Sequence, residues 1–269
     1  YYAEHLILAS PDNGIAAAMY AACKATVKVG DGNEITLHEQ TNYPFEETIR
    51  FTVNTPKAVS FPFYLRIPSW TEGATIFVNG KKVAANPEAG QYACIHREWK
   101  DNDQVEIQLP MQLSMRTWQV NKNSVSVDYG PLTMSLKIDE DYVKKDSRAT
   151  AIGDSKWQEG ADASQWPTYE IYAKTPWNYA LVLGKDKPLK DFKVVRKEWP
   201  ADNFPFTVAS TPIEVKAIGR KVPSWIIDQY DLCSELPEMD APKGEKEKIT
   251  LIPMGAARLR VSAFPNTRE

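Results

Sequence analysis

The chain has 269 residues, 43% hydrophobic and 25% charged, with a formal net charge of −3. That composition is ordinary for a globular protein of about two domains and offers no basic surface for nucleic acid. No apolar run approaches the roughly 20 residues that a membrane helix needs, so neither nucleic acid nor a membrane is expected as a partner. The opening Tyr1-Tyr2-Ala3-Glu4-His5 lacks the charged start and apolar centre of a cleavable signal. The chain begins without Met and runs straight into strand-like sequence, which reads as a piece cut from a longer polypeptide.

Short alternating segments punctuated by turn residues then follow one another, the pattern of an all-β protein. Strands are expected near 15–20, 25–29, 34–39, 48–53 and 61–67, then near 75–79, 92–97, 104–109, 113–120, 124–127 and 132–138. Thr48–Val53 alternates cleanly, with Ile49, Phe51 and Val53 on one face, and Gln104–Leu109 repeats this with Val105, Ile107 and Leu109. Such half-buried strands are antiparallel in character, since parallel strands are apolar throughout. Gly30-Asp31-Gly32-Asn33 and Asn79-Gly80 supply the residues that tolerate positive φ in tight turns. Helix signals are thin: Ala16-Ala17-Ala18 is flanked by Gly14, and the 19 prolines scattered along the chain remove backbone donors.

A compositional shift begins at Asp139. The charged runs Asp139-Glu140-Asp141 and Lys144-Lys145-Asp146 lead into 147–165, which has no sustained periodicity. Patterned sequence returns at 179–183, 192–195, 213–217, 249–252 and 258–264, while 234–248 reads as an exposed Pro-, Glu- and Lys-rich loop. The expected organisation is two antiparallel β-sandwich domains of jelly-roll or immunoglobulin-like type. The first spans 1–119 and the second 120–269, the latter with an irregular charged insertion near 139–175.

Several motifs carry a more specific likeness. The run from Phe63 to Gly80 reads Phe-Tyr-Leu-Arg-Ile-Pro-Ser-Trp-Thr-Glu-Gly-Ala-Thr-Ile-Phe-Val-Asn-Gly. It is preceded by Asp12-Asn13-Gly14-Ile15-Ala16 and Glu39-Gln40-Thr41-Asn42-Tyr43-Pro44-Phe45. Ile95-His96-Arg97-Glu98-Trp99, Tyr129-Gly130-Pro131-Leu132, Pro176-Trp177-Asn178 and Leu251-Ile252-Pro253-Met254-Gly255 follow it. In this order they resemble the region after the catalytic barrel in glycoside hydrolases of the β-L-arabinofuranosidase family 127 type. The resemblance implies an (α/α)6 barrel upstream, retaining hydrolysis there by a zinc-bound cysteine thiolate with a glutamate as acid/base, and zinc held in that barrel. A metal-held thiolate is deprotonated and oriented, which suits it to nucleophilic attack. The family's adjacent Cys-Cys pair has no counterpart among Cys23, Cys94 and Cys233. No catalytic residue, metal ligand or cofactor is therefore assigned to this chain. The implied role is to brace the barrel of the same polypeptide, with an extracytoplasmic (periplasmic or secreted) setting, and a glycan or a second copy of the chain as further partners.

The odd, widely spaced cysteines read as small buried hydrophobes. The acid pairs Glu46/Glu47, Asp139/Asp141 and Glu235/Glu238 lie in charged or turn-like sequence and read as solvated surface rather than a glycosidase couple. The three histidines stand singly. Among eight tryptophans, most are expected in cores, with Arg97 stacked on Trp99 at a sandwich edge. Trp157 and Trp166, which flank a Gly-Ala-Asp-Ala stretch, are the candidate carbohydrate contacts. The rival readings are a carbohydrate-binding module and a structural cell-surface module. Bracing a barrel further predicts an exposed apolar patch, placed on the N-terminal sheet.

Overall fold

The computed structural model describes residues 2–85, 87–149, 160–230 and 232–269. Their only helical elements are three short 3-10 turns, so the all-β class read from the sequence holds. The chain forms two compact units: one runs to Leu113 and adds Tyr129–Leu132, and the other comprises Ser114–Asp128 and Thr133–Glu269.

The first unit contains β1 (Ile7–Ala9), β2 (Ile15–Ala17), β3 (Cys23–Val29), β4 (Asn33–Gln40), β5 (Thr48–Asn54), β6 (Val59–Arg66), β7 (Thr75–Val78), β8 (Lys81–Lys82), β9 (Tyr92–Trp99) and β10 (Asp103–Gln108). These make a four-stranded sheet, β1-β2-β6-β9, and a six-stranded sheet, β3-β4-β5-β10-β7-β8. Period-two alternation sends one side of each strand inward. Ile49, Phe51 and Val53 of β5, Val105 and Ile107 of β10, and Phe61, Phe63 and Leu65 of β6 meet in a single continuous core. β6 lies in one sheet and β7 in the other, so the corner at Pro68 carries the chain between layers. Asn79 and Gly80, with φ of 48° and 75°, close the β7–β8 hairpin as two positive-φ residues. Gly14 is needed for a different reason, because a Cβ there would sit 2.1 Å from the Pro62 carbonyl oxygen.

Trp99 is fully buried. Its indole N–H donates to the Phe61 carbonyl at 3.0 Å, and its ring lies 5.7 and 6.1 Å from those of Phe61 and Phe63. The Arg97 guanidinium stacks 5.2 Å above it and reaches Asp103 at 3.5 Å, the edge closure anticipated from the strand alternation.

The second unit contains β11 (Leu113–Trp118), β12 (Ser124–Tyr129), β13 (Leu132–Leu136), β14 (Glu140–Lys145), β15 (Thr168–Ala173), β16 (Tyr179–Leu183), β17 (Lys193–Arg196), β18 (Ile213–Lys221), β19 (Lys246–Pro253) and β20 (Asn266–Arg268), the first and the β12–β13 turn shared with its neighbour along the chain. Eight strands form one sheet, β11-β12-β13-β19-β18-β16-β20, with β17 on the remaining part of β18. β12 and β16 are buried at every residue, so both sides of this sheet are covered there. Loops supply part of the cover: Trp177 and Trp225 pack edge to face at 5.1 Å beside Ala180 and Val222.

Two expectations are corrected here. Residues 139–175, read as an irregular insertion, carry the antiparallel ribbon β14–β15. The charges that suggested a solvated loop are partly cross-strand partners, with Lys145 on Glu170 at 2.9 Å and Lys174 on Asp141 at 3.1 Å. The stretch 258–264, read as patterned sequence like the strands, has a single bridge, Phe264 with Val125. Serine side chains supplement sparse backbone bonds: the Leu136 N–H donates to the Val261 carbonyl, Ser135 Oγ bonds both the N–H and the carbonyl of Val261, and Ser126 Oγ donates to the Ser262 carbonyl.

Candidate functional site

The sequence-selected aromatics separate once folded. Trp166 is 68% exposed just before β15, with its carbonyl accepting from Ser147 Oγ at 2.7 Å. Trp157 lies outside the described residues. On the adjacent ribbon, the exposed rings of Tyr142 and Tyr169 stand edge to face, 6.0 Å apart at 78°, rather than as one flat platform. The other tryptophans make internal contacts: Trp118 donates to Ser126 Oγ and stacks under Arg116, Trp199 donates to Asn203, and Trp70 packs on the first core.

The acid pairs do not face one another across a cleft. Glu46 accepts from Asn42 at 3.0 Å, while Glu47 accepts from the backbone N–H of Met111 at 3.0 Å. Asp141 is paired with Lys174, and Glu238 and Glu235 both approach Lys122, at 2.9 and 3.9 Å. Glu46, Glu47, Asp141 and Glu238 are thus each held by a local bond.

The carboxylates with altered chemistry are ones that sequence reading passed over. Glu39, 2% exposed at the end of β4, accepts from the Ala21 N–H at 3.0 Å and lies 3.7 Å from Cys23 Sγ. Burial pushes its carboxyl up to about 8, and those two bonds only partly oppose that. Glu39 points inward by strand alternation, and a Glu at an inward position was the legible signal. Glu214, 6% exposed on β18, is met by Lys216 at 2.6 Å and by Lys197 and Lys137 at 3.1 Å. Burial alone would raise its pKa, but the three ammoniums outweigh that and hold it at about 2. Only the fold brings those lysines, from three strands or their ends, to one carboxylate.

The cysteines are free and are not the buried hydrophobes expected: Cys23 is half-buried, and Cys94 and Cys233 are exposed. Cys94 falls on the outward phase of β9, where alternation with buried Ala93 and Ile95 turns it to solvent. Cys23 lies beside Glu39 on the six-stranded sheet, Cys94 on the four-stranded sheet and Cys233 in a loop of the other unit. Among the described residues, no three His, Cys, Asp or Glu side chains gather as metal ligands. Among the same residues, no helix is long and apolar enough to cross a membrane.

Most exposed large apolar side chains of the described residues belong to the second unit, among them Val120, Phe204, Ile226, Tyr230 and Leu232. The first unit offers less: the outer side of its four-stranded sheet carries the row Leu8, Ala16, Tyr64 and Cys94, flanked by Tyr92. The apolar patch expected on the N-terminal sheet is thus a mixed surface, because period-two strands place most apolar residues in the core.

The fold defines an all-β module. Residues 14–111 match the family model described as "Beta-L-arabinofuranosidase, GH127 middle domain". Among solved structures, a GH127 β-L-arabinofuranosidase from Geobacillus stearothermophilus T6 is 21% identical, with a TM-score of 0.62, covering 98% of this chain and 35% of its own. A structure titled "Glycoside hydrolase" is 22% identical with a TM-score of 0.59, covering 96% of this chain and 36% of its own. A GH127 β-arabinofuranosidase is 19% identical with a TM-score of 0.59 over the same shares. No curated protein matches the chain. The resemblance to family 127 read in the sequence is borne out, and the chain spans about a third of the length of these solved relatives.

Proposed function

We propose that this chain is the non-catalytic β part of a carbohydrate-degrading glycoside hydrolase of the β-L-arabinofuranosidase type, bracing a catalytic barrel of the same polypeptide. The observation that carries this reading is the match of its first unit to a middle domain, in a chain that spans about a third of its solved relatives. A continuous apolar core under two sheets gives such a support the stiffness it needs, since close-packed interiors transmit strain rather than absorb it. The nucleophilic thiolate, its zinc and the acid/base glutamate would all reside in the barrel. In this reading the mixed Leu8–Tyr64–Cys94 face and the apolar loops of the second unit are the surfaces available for docking. An extracytoplasmic setting follows from a glycan-degrading role, and fractionation of the native host tests it.

The test is hydrolysis of an aryl β-L-arabinofuranoside. Purified residues 1–269 are expected to release no aglycone, whereas the longer polypeptide that includes a barrel turns the substrate over. Turnover by the 269-residue chain would defeat the proposal, as would a full-length polypeptide that encodes no barrel.

A further inference from the structure

The outer side of the six-stranded sheet differs from every other surface of the first unit. The strand register lays Gln40, Arg50, Glu106 and Phe77 in one row across β4, β5, β10 and β7. Gln104 and Gln108 flank Glu106 along β10 on the same face. These side chains line a groove of about 340 Å³, a size within the roughly 300–1,000 Å³ range of small-molecule sites. Its chemistry is neutral: the Arg50 Nε–H donates to Glu106 at 2.8 Å, so the one guanidinium and the one carboxylate balance. Glu106 is held from the other side by the Gln108 amide at 2.9 Å, and Gln108 in turn accepts from Thr75 at 3.3 Å. The amides of Gln40 and Gln104 have no hydrogen-bond partner among the described residues, which leaves donors and acceptors aimed outward.

Phe77 is the telling member. Its strand neighbours Ile76 and Val78 enter the core, while Phe77 takes the opposite, outward phase and is half-buried among polar chains. Core packing does not require a phenyl ring there. It leaves one flat apolar plate inside a frame of amides and a neutralised ion pair.

We infer that this groove binds a neutral saccharide, with Phe77 stacking against a C–H face of a sugar ring and the glutamine amides and Arg50–Glu106 pair bonding its hydroxyls. A sugar ring presents this combination, with hydroxyls that both donate and accept around an apolar face and no net charge. Nucleic acid would need several unpaired cations, whereas Arg50 is already paired with Glu106 and Lys82, across from Phe77 on β8, is the single further cation beside the row among the described residues. The groove is independent of the bracing role; only the choice of an arabinofuranosyl probe rests on that reading.

The experiment follows the side-chain NH2 resonances of Gln40, Gln104 and Gln108 in the 15N-labelled 269-residue chain. It is titrated separately with a short L-arabinofuranosyl oligosaccharide and with a glucose-based trisaccharide. Saturable shifts of those amides in the millimolar range are expected, with Phe77→Ala weakening binding by about tenfold and Gln104→Ala by severalfold. Unchanged backbone amide dispersion in both variants excludes unfolding as the cause. Response to the glucose-based sugar alone would support the groove while counting against the sugar class of the proposed function. Amides that stay still with both sugars, shifts confined to Trp166 and its ribbon, or undiminished binding by Phe77→Ala would overturn the inference.

Discussion

Each unit buries a glutamate, and the two are treated in opposite ways. Glu39 sits in the first unit among an N–H, a thiol and apolar walls, with no cation bonded to it, and its carboxyl stays protonated up to about pH 8. Glu214 in the second unit is also nearly closed to water but lies shallower, is bonded by three lysines, and remains ionised down to about pH 2. Shallower burial and the three ammoniums together decide the charge. The first unit leaves Glu39 without a bonded cation and relies on apolar packing around it. The second fixes parts of its sheet with a charge cluster at the surface of its core.

The largest way to break that contrast is Trp99→Ala. It removes the ring that joins Phe61 and Phe63 and leaves the Phe61 carbonyl without its donor, for an expected loss of about 3–5 kcal/mol in the first unit. Denaturant unfolding followed by near-ultraviolet circular dichroism measures it. A loss below about 1 kcal/mol would show that apolar packing around this ring is not what holds the sandwich.

Next comes Glu214→Gln, which leaves three ammoniums facing one neutral amide and is expected to cost about 2–4 kcal/mol at pH 7. Its folded pKa, about 2, lies below the ordinary 4.5. The stabilisation is therefore fully present above pH 4.5 and disappears as pH falls towards 2. Wild type and variant should converge in acid; equal separation at pH 7 and pH 2 would contradict the ion-pair account.

The gentlest change, Glu39→Gln, sharpens the comparison by running the other way. A folded pKa raised from 4.5 to about 8 means that the native state holds a proton the unfolded chain has released. Wild-type stability therefore declines as pH rises from 4.5 to 8. The variant should match wild type near pH 4 and exceed it at pH 9 by on the order of 1–3 kcal/mol. Thermal melts across that range check this, and a variant destabilised at pH 9 would mean that Glu39 has a cation partner.

The first unit was largely readable because its strands obey a strict period of two. Thr48–Asn54 and Asp103–Gln108 fall where alternation placed them, and the Asn79-Gly80 turn closes the hairpin its composition promised. Arg97 over Trp99 followed from the same phase argument. The β14–β15 ribbon escaped because its lysines and glutamates look like solvated loop until their cross-strand partners are known. The segment 258–264 differs in the reverse sense: it is patterned like a strand, but serine hydroxyls from other strands share its backbone groups and only isolated backbone bonds remain. Among candidate sites, Trp166 stands exposed beside the β14–β15 ribbon, whereas the groove around Phe77 went unread.

By itself, then, the sequence determined the all-β class, the inward faces of the first sandwich and the likeness to family 127, because these are properties of residues near one another in the chain. The tertiary structure alone decided the ionisation of Glu39 and Glu214 and the joining of Gln40, Arg50, Phe77 and Glu106 in one groove. Those depend on register and sheet order, which bring side chains from distant segments within a few ångströms and set how much water remains between them.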